Sequence, residues 1–187
     1  WQQVQSLVPS KIDTIILPVG TVEAHGSTSL ATDCIIPEDI SEQIAERVNA
    51  LVAPTVNYGV TRSLYRYNGG ATVRPETLAF YVRDILNSFA DDSFRDVILM
   101  NGHGGNNATL KNVAMDFHQS RACAVAVIHW WELCGETTKE FFGHVGGHAG
   151  TDETAYVQAV DPALANKSDY SAEQAWYFRP GADVYPV

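Results

Sequence analysis

Apolar runs alternate along this chain with segments in which apolar residues recur at helical spacing. The apolar runs predict four buried strands, at residues 12–19, 52–56, 96–100 and 122–129. The helical spacing predicts four helices, at residues 37–51, 75–89, 108–120 and 153–160. Strands that alternate with helices are typical of an α/β domain with a mainly parallel sheet.

Polar and glycine-rich loops connect these elements, the longest of them at residues 57–73. Long loops inside compact domains are usually functional, so Tyr58 and Arg62 are candidates for shaping a pocket. Residues 130–142 are ambiguous between a short helix and a lid. Because ligands bind outside the carboxyl ends of strands in open α/β sheets, we expect the polar clusters after the first and third strands to meet there.

The length, composition and charge of the chain restrict the classes of function that it can have. The 187 residues, 45% of them apolar, suit one domain over residues 1–187, and we expect further sequence at both ends. The formal net charge of -10 argues against binding to nucleic acid or to an acidic membrane surface. Three cysteines without a C-x-x-C pair favour a reducing compartment over a disulfide framework. No apolar run approaches the roughly 20 residues of a membrane-spanning helix.

The first polar cluster contains Glu23 and His25, followed a little later by Asp33. Carboxylates and imidazole together are ligand types suited to Zn²⁺, Mn²⁺ or Fe²⁺. Glu23 and His25 lie two residues apart, so in an extended loop their side chains point the same way. A carboxylate such as Asp33 has two oxygens and could bridge two ions. The alternative is a capped turn beside a satisfied histidine.

The second cluster, at residues 101–106, has the sequence Asn-Gly-His-Gly-Gly-Asn. Its glycines place His103 on a backbone that can approach a ligand closely. The backbone N–H groups of the same loop, at Gly102 and Gly104, are candidate donors to a substrate oxyanion. The alternative is a phosphate-binding loop with an incidental histidine, but neither G-x-G-x-x-G nor the Lys-bearing P-loop occurs in the sequence.

The third cluster places His148 in a glycine-rich loop, shortly before Asp152 and Glu153. A histidine on such a loop is a candidate general acid or base near neutral pH. The two acids could instead be structural residues that stabilise the first turn of a helix through its dipole. Each cluster alone is weak, but the three together favour a metal-dependent hydrolase.

The ordered clusters resemble the creatininase family of metal-dependent amidohydrolases. The matching segments are residues 17–26 with Thr32-Asp33, residues 101–106, and residues 148–150 with Glu153-Thr154, within a similarity that spans about residues 12–160. The resemblance implies a three-layer α/β/α fold and hydrolysis of a C–N amide bond, often in a cyclic or formylated small molecule. It also implies two divalent metal ions per chain and a cytoplasmic homo-oligomer, commonly a hexamer.

The resemblance also implies a set of metal ligands. Carried over position by position, Glu23, Asp33 and His103 would hold one ion, and His25 with the bridging Asp33 would hold the second. Zn²⁺ is the favoured metal, with Mn²⁺ and Fe²⁺ as alternatives. We expect a water that bridges the two ions to attack the amide carbonyl, and His148 to protonate the leaving nitrogen.

The chain departs from the creatinine-hydrolysing branch of that family at several positions, two of which bear on the metal centre and the substrate. Gly105 occupies the position of a glutamate that ligates the second ion, so Glu153 is the expected replacement, as a ligand and as a catalytic residue. Gly147 replaces a glutamate that precedes the histidine matching His148. Trp131 matches a substrate-stacking tryptophan, although a core role is equally compatible. Creatinine itself is therefore a poor candidate substrate.

Two rival hypotheses remain at the level of sequence. One is another reaction on the same metal centre, such as lactam opening or the trimming of a small peptide. The other is a non-catalytic small-molecule-binding member of the same fold that has lost one ion.

Overall fold

The computed structural model describes residues 1–64 and 66–171. Its elements, in chain order, are α1 (Gln2–Leu7), β1 (Thr14–Val19), α2 (Thr32–Ala45), β2 (Ala50–Val52), α3 (Pro75–Asp91), β3 (Asp96–Asn101), α4 (Asn107–Ser120), β4 (Ala124–His129), α5 (Trp130–Leu133), α6 (Gly135–Phe142) and α7 (Thr151–Val160). Residues 172–187 of the predicted single domain lie outside the described residues. None of the described helices is both long enough and apolar enough to cross a membrane.

The four strands form one parallel sheet in the order β2-β1-β3-β4. The last residues of three strands are in register, because Val19 pairs with Asn101 and Asn101 pairs with His129. The loops that leave β1, β3 and β4 therefore start side by side at the carboxyl edge of the sheet. This edge is where ligands bind in parallel α/β sheets.

Helices cover both faces of the sheet. Leu17 and Val19 of β1 belong to the core shared with α3 and α4, which contribute Leu78, Val82, Leu86, Leu110, Val113 and Phe117. Ile16, between them in sequence, belongs to the other core, with Ile36 of α2 and Val157 of α7. Neighbouring strand residues are thus buried on opposite faces, which explains the continuous apolar run of β1. The predicted three-layer α/β/α fold is confirmed.

The helix predicted at residues 37–51 has the wrong bounds. Helix α2 begins at Thr32, five residues before Pro37, and includes Asp33 in its first turn. Pro37 has no N–H to donate to the Asp33 carbonyl, which packs instead against the end of the sheet at Gly20 and Gly102. The helix ends at Ala45, and Asn49, just before β2, adopts a positive φ of 52°.

Apart from shifts of one or two residues at element ends, two other segments differ from the sequence prediction. Strand β2 covers Ala50–Val52 rather than residues 52–56. At the end of the predicted range, Val56 makes an isolated bridge to Val19. The ambiguous segment 130–142 folds as two short helices, α5 and α6, and α6 ends at Gly143 with a φ of 80°. The chain therefore leaves β4 through helices and returns to the carboxyl edge in the loop before α7.

Candidate metal centre

The five side chains predicted as metal ligands meet at the carboxyl edge of the sheet. Glu23 and His25 follow β1, Asp33 lies in the first turn of α2, His103 follows β3, and Glu153 lies in the first turn of α7. All five residues are at most 8% exposed. Burial of three carboxylates in one place is costly unless positive charge compensates them.

One group of ligand atoms forms around His103. Its Nδ1 lies 2.8 Å from Oδ2 of Asp33 and 3.2 Å from Oε1 of Glu23. The ligand atoms of the three residues lie within 4.8 Å of one another. The group matches the set that the sequence predicts for the first ion.

A second group forms around His25. Its Nε2 lies 2.9 Å from Oδ1 of Asp33 and 3.7 Å from Oε2 of Glu153. The two oxygens of Asp33 therefore face two different histidines, which is the arrangement a bridging carboxylate requires. His25, Asp33 and Glu153 also satisfy the 4.8 Å criterion.

The two histidines are oriented so that, in the neutral ring, the unprotonated nitrogen faces a carboxylate. Nδ1 of His25 lies 3.1 Å from the backbone oxygen of Glu23, and Nε2 of His103 lies 3.0 Å from that of Val60. A carbonyl oxygen only accepts hydrogen bonds, so each of these nitrogens carries the proton of the neutral ring. The opposite nitrogens then direct lone pairs at the carboxylates of Asp33 and Glu23, as in metal-bound histidines whose other nitrogen is held by the protein.

Three buried atoms of this cluster make no hydrogen bond within the described part of the chain. They are Oε1 of Glu23, Nε2 of His25 and Oδ2 of Asp33. Each lies at ion-pair distance from another atom of the two groups, so acceptor atoms converge from several residues. Buried acceptors without donors are costly, and divalent cations would compensate them. The residues present therefore fit two such ions.

Without metal, protons take the place of the cations. Burial alone would lower the pKa of His103 and of His25, but the neighbouring carboxylates outweigh it and raise these pKa values to about 10 and about 9. Burial raises the pKa of Glu153 to about 8, despite the opposing effect of His25. For Asp33, the two histidines overcome burial and lower the pKa. The metal-free centre therefore holds protons that a metal must displace at neutral pH.

Side chains outside the predicted set hold the ligands in place. The hydroxyl of Thr61 donates to Oε2 of Glu23. Oδ1 of Asn106 accepts from the N–H of Val60 at 2.9 Å, and its Nδ2 donates to the Gly20 carbonyl at 3.1 Å. The sequence predicts no role for either residue. The place of Asn106 in the second cluster was an available signal, whereas nothing in the local sequence marked Thr61.

The three glycines of the second cluster have different roles. The N–H of Gly102 donates to the Val19 carbonyl at 2.9 Å, and the space of a Cβ there is taken by the Asp33 carbonyl and Pro37. The predicted donation from Gly102 to a substrate therefore does not fit this geometry. Gly104 opens a 3₁₀ turn, and a Cβ there would meet no described atom within 4 Å. Its N–H remains a candidate substrate donor.

The position of the missing glutamate, Gly105, cannot carry a side chain on this backbone. A Cβ there would collide with the Val60 carbonyl and with Nε2 of His103. Glu153 reaches the His25 group from the opposite side, from the first turn of α7. The shape of this loop is therefore incompatible with a glutamate side chain at position 105.

A cavity of about 320 Å³ opens onto the centre. The ligands Glu23, Asp33, His103 and Glu153 line it together with Ser63, Leu64, Gly102, Gly104, Gly105, Trp131, Gly147, His148 and Asp152. Two residues expected at the substrate, Trp131 and His148, thus lie beside the ligands. Tyr58 does not: it is 56% exposed and lines a separate cavity beside Val73 and Tyr81. The long loop contributes Ser63 and Leu64 instead.

Known proteins resemble this chain over most of its length. A family model described as creatininase, creatinine amidohydrolase, matches residues 1–184. The chain is 27% identical to a creatinine amidohydrolase from Pseudomonas putida, over 100% of this chain and 79% of that protein. It is 26% identical to a mycofactocin precursor peptide peptidase from Mycobacterium ulcerans, over 97% of this chain and 70% of that protein. A solved structure described as creatininase Mn has a TM-score of 0.85 and 25% identity, and the match covers 100% of this chain and 80% of that one.

Proposed function

The chain belongs to the creatininase family of hydrolases, and on this premise we propose that it is a dinuclear metal-dependent enzyme that cleaves a C–N amide bond in a small molecule. The observation that carries the proposal is the convergence of buried acceptor atoms of Glu23, His25 and Asp33 that no described donor satisfies. In a structural core, unsatisfied buried acceptors only destabilise the fold, whereas in a metal centre they coordinate the ion.

The metal ions would be divided between the two histidine groups. Glu23, Asp33 and His103 would hold one, and His25, Asp33 and Glu153 the other. When bound, such ions lower the pKa of a coordinated water toward neutrality and polarise a carbonyl. Mixed carboxylate and imidazole ligands suit Zn²⁺, and also Mn²⁺, the metal that the description of one similar structure names.

The residues around the cavity would position the amide. The N–H of Gly104 would donate to a carbonyl oxygen; the proposal is supported by the position of Gly104 at the start of a 3₁₀ turn that lines the cavity. Trp131 and Leu64 add apolar surface to the same wall. Trp131 packs edge-on against Trp130, with ring centroids 6.3 Å apart, so its ring is held in place beside the substrate.

The cavity limits the substrate to a small molecule or to the end of a chain. Its volume of about 320 Å³ lies at the low end of small-molecule pockets. Small cyclic amides and formamides, the compounds expected from sequence, fit that size. Creatinine is disfavoured as before, since Gly105 and Gly147 replace two glutamates of the creatinine-hydrolysing branch.

Trimming of a peptide is a second candidate function. It is favoured by the similarity to the mycofactocin precursor peptide peptidase over 97% of this chain. The chemistry at the metal centre would be the same, because a peptide bond is also a C–N amide. The two candidates differ only in what extends from the scissile bond.

A panel of substrates with controlled metal content tests the proposal. The protein is stripped with a chelator, verified by elemental analysis, and reloaded with Zn²⁺ or Mn²⁺. It is then offered small cyclic amides, formamides and short peptides. We expect hydrolysis of at least one class with metal and none without. The proposal fails if verified metal-free protein is as active as loaded protein, or if loaded protein hydrolyses none of them.

A further inference from the structure

His129, the last residue of β4, is neither one of the proposed ligands nor one of the described residues that line the cavity at the metal centre. It pairs in register with Asn101 of β3, and residues paired in this way point to the same face of a parallel sheet. Nδ1 of His129 lies 3.0 Å from Nδ2 of Asn101. Because Asn101 also bonds to the backbone of His103, one side chain contacts both the metal-binding loop and His129.

The orientation of the Asn101 amide determines which nitrogen of His129 carries the proton. Oδ1 of Asn101 accepts from the His103 N–H at 3.1 Å, and Nδ2 donates to the His103 carbonyl at 2.9 Å. A reversed amide would lose both bonds, so the nitrogen is the atom that faces His129. An amide nitrogen only donates, so Nδ1 of His129 accepts, and Nε2 carries the proton of the neutral ring.

This hydrogen bond constrains the histidine more than the asparagine. Nδ2 of Asn101 has two hydrogens, and it has two other acceptors, the His103 carbonyl at 2.9 Å and Oδ1 of Asn107 at 2.8 Å. The contact with His129 is a third, so its loss would leave each hydrogen of Asn101 with an acceptor. His129 is only half-buried, and the bond restricts the orientation of its ring.

The ring of His129 lies beside Trp131. Their ring centroids are 5.4 Å apart, at an interplanar angle of 37°. Aromatic rings at such separations stabilise each other beyond the area that they bury. Trp131 lines the cavity and is half-buried, so contacts with its neighbours decide where its ring lies. Trp130 provides one such contact, at 6.3 Å, and His129 provides a closer one.

We propose that His129 is a positioning residue: held by Asn101, it keeps the ring of Trp131 in the wall of the cavity, where an amide substrate would pack against it. The loop that carries His103 and the apolar wall of the cavity would then share Asn101 as a common support. The inference rests on the proposed function for its kinetic consequence, whereas the position of the ring is a property of the protein without substrate.

Fluorine NMR tests the position of the ring in metal-free protein without substrate. Protein labelled with 5-fluorotryptophan contains four labelled residues, and the resonance missing from W131F belongs to Trp131. H129N keeps an acceptor for Asn101 but removes the ring, whereas H129F keeps a ring but removes the acceptor. H118Q, at an exposed histidine in the last turn of α4, is the control.

We expect one narrow Trp131 resonance in wild type and in H118Q. In H129N and H129F the same resonance should be split or broadened by exchange, because the ring of Trp131 then has more than one position. The use of two variants keeps the test valid if one of them folds poorly. A wild-type Trp131 resonance in either variant would overturn the inference, since the ring or its anchor would then be dispensable.

Kinetics separate positioning of Trp131 from a general structural role. For the amide hydrolysed fastest in the substrate panel, we expect both His129 variants to raise KM about 2- to 10-fold and to change kcat less than about 2-fold. Their Zn²⁺ content should match wild type, because Asn101 keeps its bonds to the His103 backbone. A fall in kcat at unchanged KM, or a loss of Zn²⁺, would overturn the inference. A panel without any hydrolysed amide would instead refute the proposed function, and the fluorine result would still decide the position of Trp131.

Discussion

The two glycine-rich loops at the candidate centre are held in different ways. The loop at residues 101–106 is fixed by buried asparagines: Asn101 and Asn106 are both 0% exposed and bond to its backbone and to neighbouring elements. The loop at residues 143–150 is mostly exposed or half-buried. Its backbone N–H groups donate to acids of the first turn of α7, from Gly147 to Asp152 at 3.2 Å and from Ala149 to Glu153 at 2.6 Å.

This difference in supporting hydrogen bonds indicates that only the loop at residues 101–106 keeps its conformation without metal. The asparagine bonds around His103 involve no metal ligand carboxylate, so they persist in metal-free protein. The second loop depends on Glu153, a proposed ligand, and it places Ala149 at a positive φ of 52°. Such a conformation costs a non-glycine residue about 1–2 kcal/mol. We therefore expect the His148 loop to become ordered with metal and the His103 loop to be ordered before it.

In the loop at residues 101–106, replacement of His103 should have the largest effect on metal binding and activity. H103A removes the nitrogen between Glu23 and Asp33, so the first ion loses one of its protein ligands. We expect that ion to bind more than about 100-fold more weakly, and activity to fall with it. Elemental analysis and competition with a chromophoric chelator for Zn²⁺ measure this, with H144Q, a change of an exposed histidine, as the control. Full metal occupancy and full activity in H103A would show that the loop at residues 101–106 is not part of the centre.

Removal of the asparagine support should destabilise the same loop without touching a ligand. N106A leaves the Val60 N–H and the Gly20 carbonyl buried without a partner. We expect a loss of about 2–4 kcal/mol in the free energy of unfolding, measured by denaturant titration of metal-free protein. N68A, at an exposed asparagine, is the control. A loss below about 0.5 kcal/mol would mean that the first loop is not held by its asparagines.

A rise in pH should lower the stability of metal-free protein and increase the stabilisation gained from metal. In metal-free protein the pKa values of His25 and His103 are raised to about 9 and about 10. Their stabilising contribution is therefore complete below the unfolded value of 6.5 and is lost as pH rises through 9 to 10. Metal binding requires the deprotonated rings and strengthens over the same range.

Thermal unfolding scans between pH 6.5 and 9.5 measure this dependence. We expect the Tm of metal-free protein to fall as pH rises, and the Tm gained by adding Zn²⁺ to grow. Parallel curves for the two forms would contradict the protonation states assigned to the metal-free centre.

The smallest effect on stability is expected from a change that weakens the loop at residues 143–150. D152A removes the acceptor of the Gly147 N–H, but Gly147 is exposed and water can replace the bond. We expect less than about 1 kcal/mol of change in global unfolding. Hydrogen exchange at residues 144–150 should nevertheless become faster, while E140A, at an exposed acid of α6, should leave it unchanged. Unaltered exchange in D152A would show that the loop is held in some other way.

Much of the fold could be predicted from sequence because its causes are local. Alternation of apolar runs and helical spacing identified β1, β3, β4 and the helices α3, α4 and α7. The start of α2 could not be found in this way, because Pro37 favours a first-turn position and the packing of the Asp33 carbonyl against Gly102 is a tertiary contact. The positive φ of Asn49, in the turn before β2, also leaves no apolar signature.

The candidate site also combines features that are visible in the local sequence with features that depend on tertiary contacts. The ligand types and their positions after strands were visible in the sequence, and the structure brings those five side chains together. The support from Thr61 depends on a contact across 38 residues, which no spacing rule predicts. Tyr58 was selected from the composition of its loop, whereas the path of that loop brings Ser63 and Leu64 to the cavity instead. Loop composition thus indicated a functional segment but not its contact residues.

Anomalous diffraction from crystals of Zn²⁺-loaded protein tests the central claim most directly. The account predicts two anomalous peaks per chain, one among Glu23, Asp33 and His103, and the other among His25, Asp33 and Glu153. Asp33 should contact both. A single peak, or peaks away from these side chains in fully loaded protein, would contradict a dinuclear centre at the carboxyl edge of the sheet.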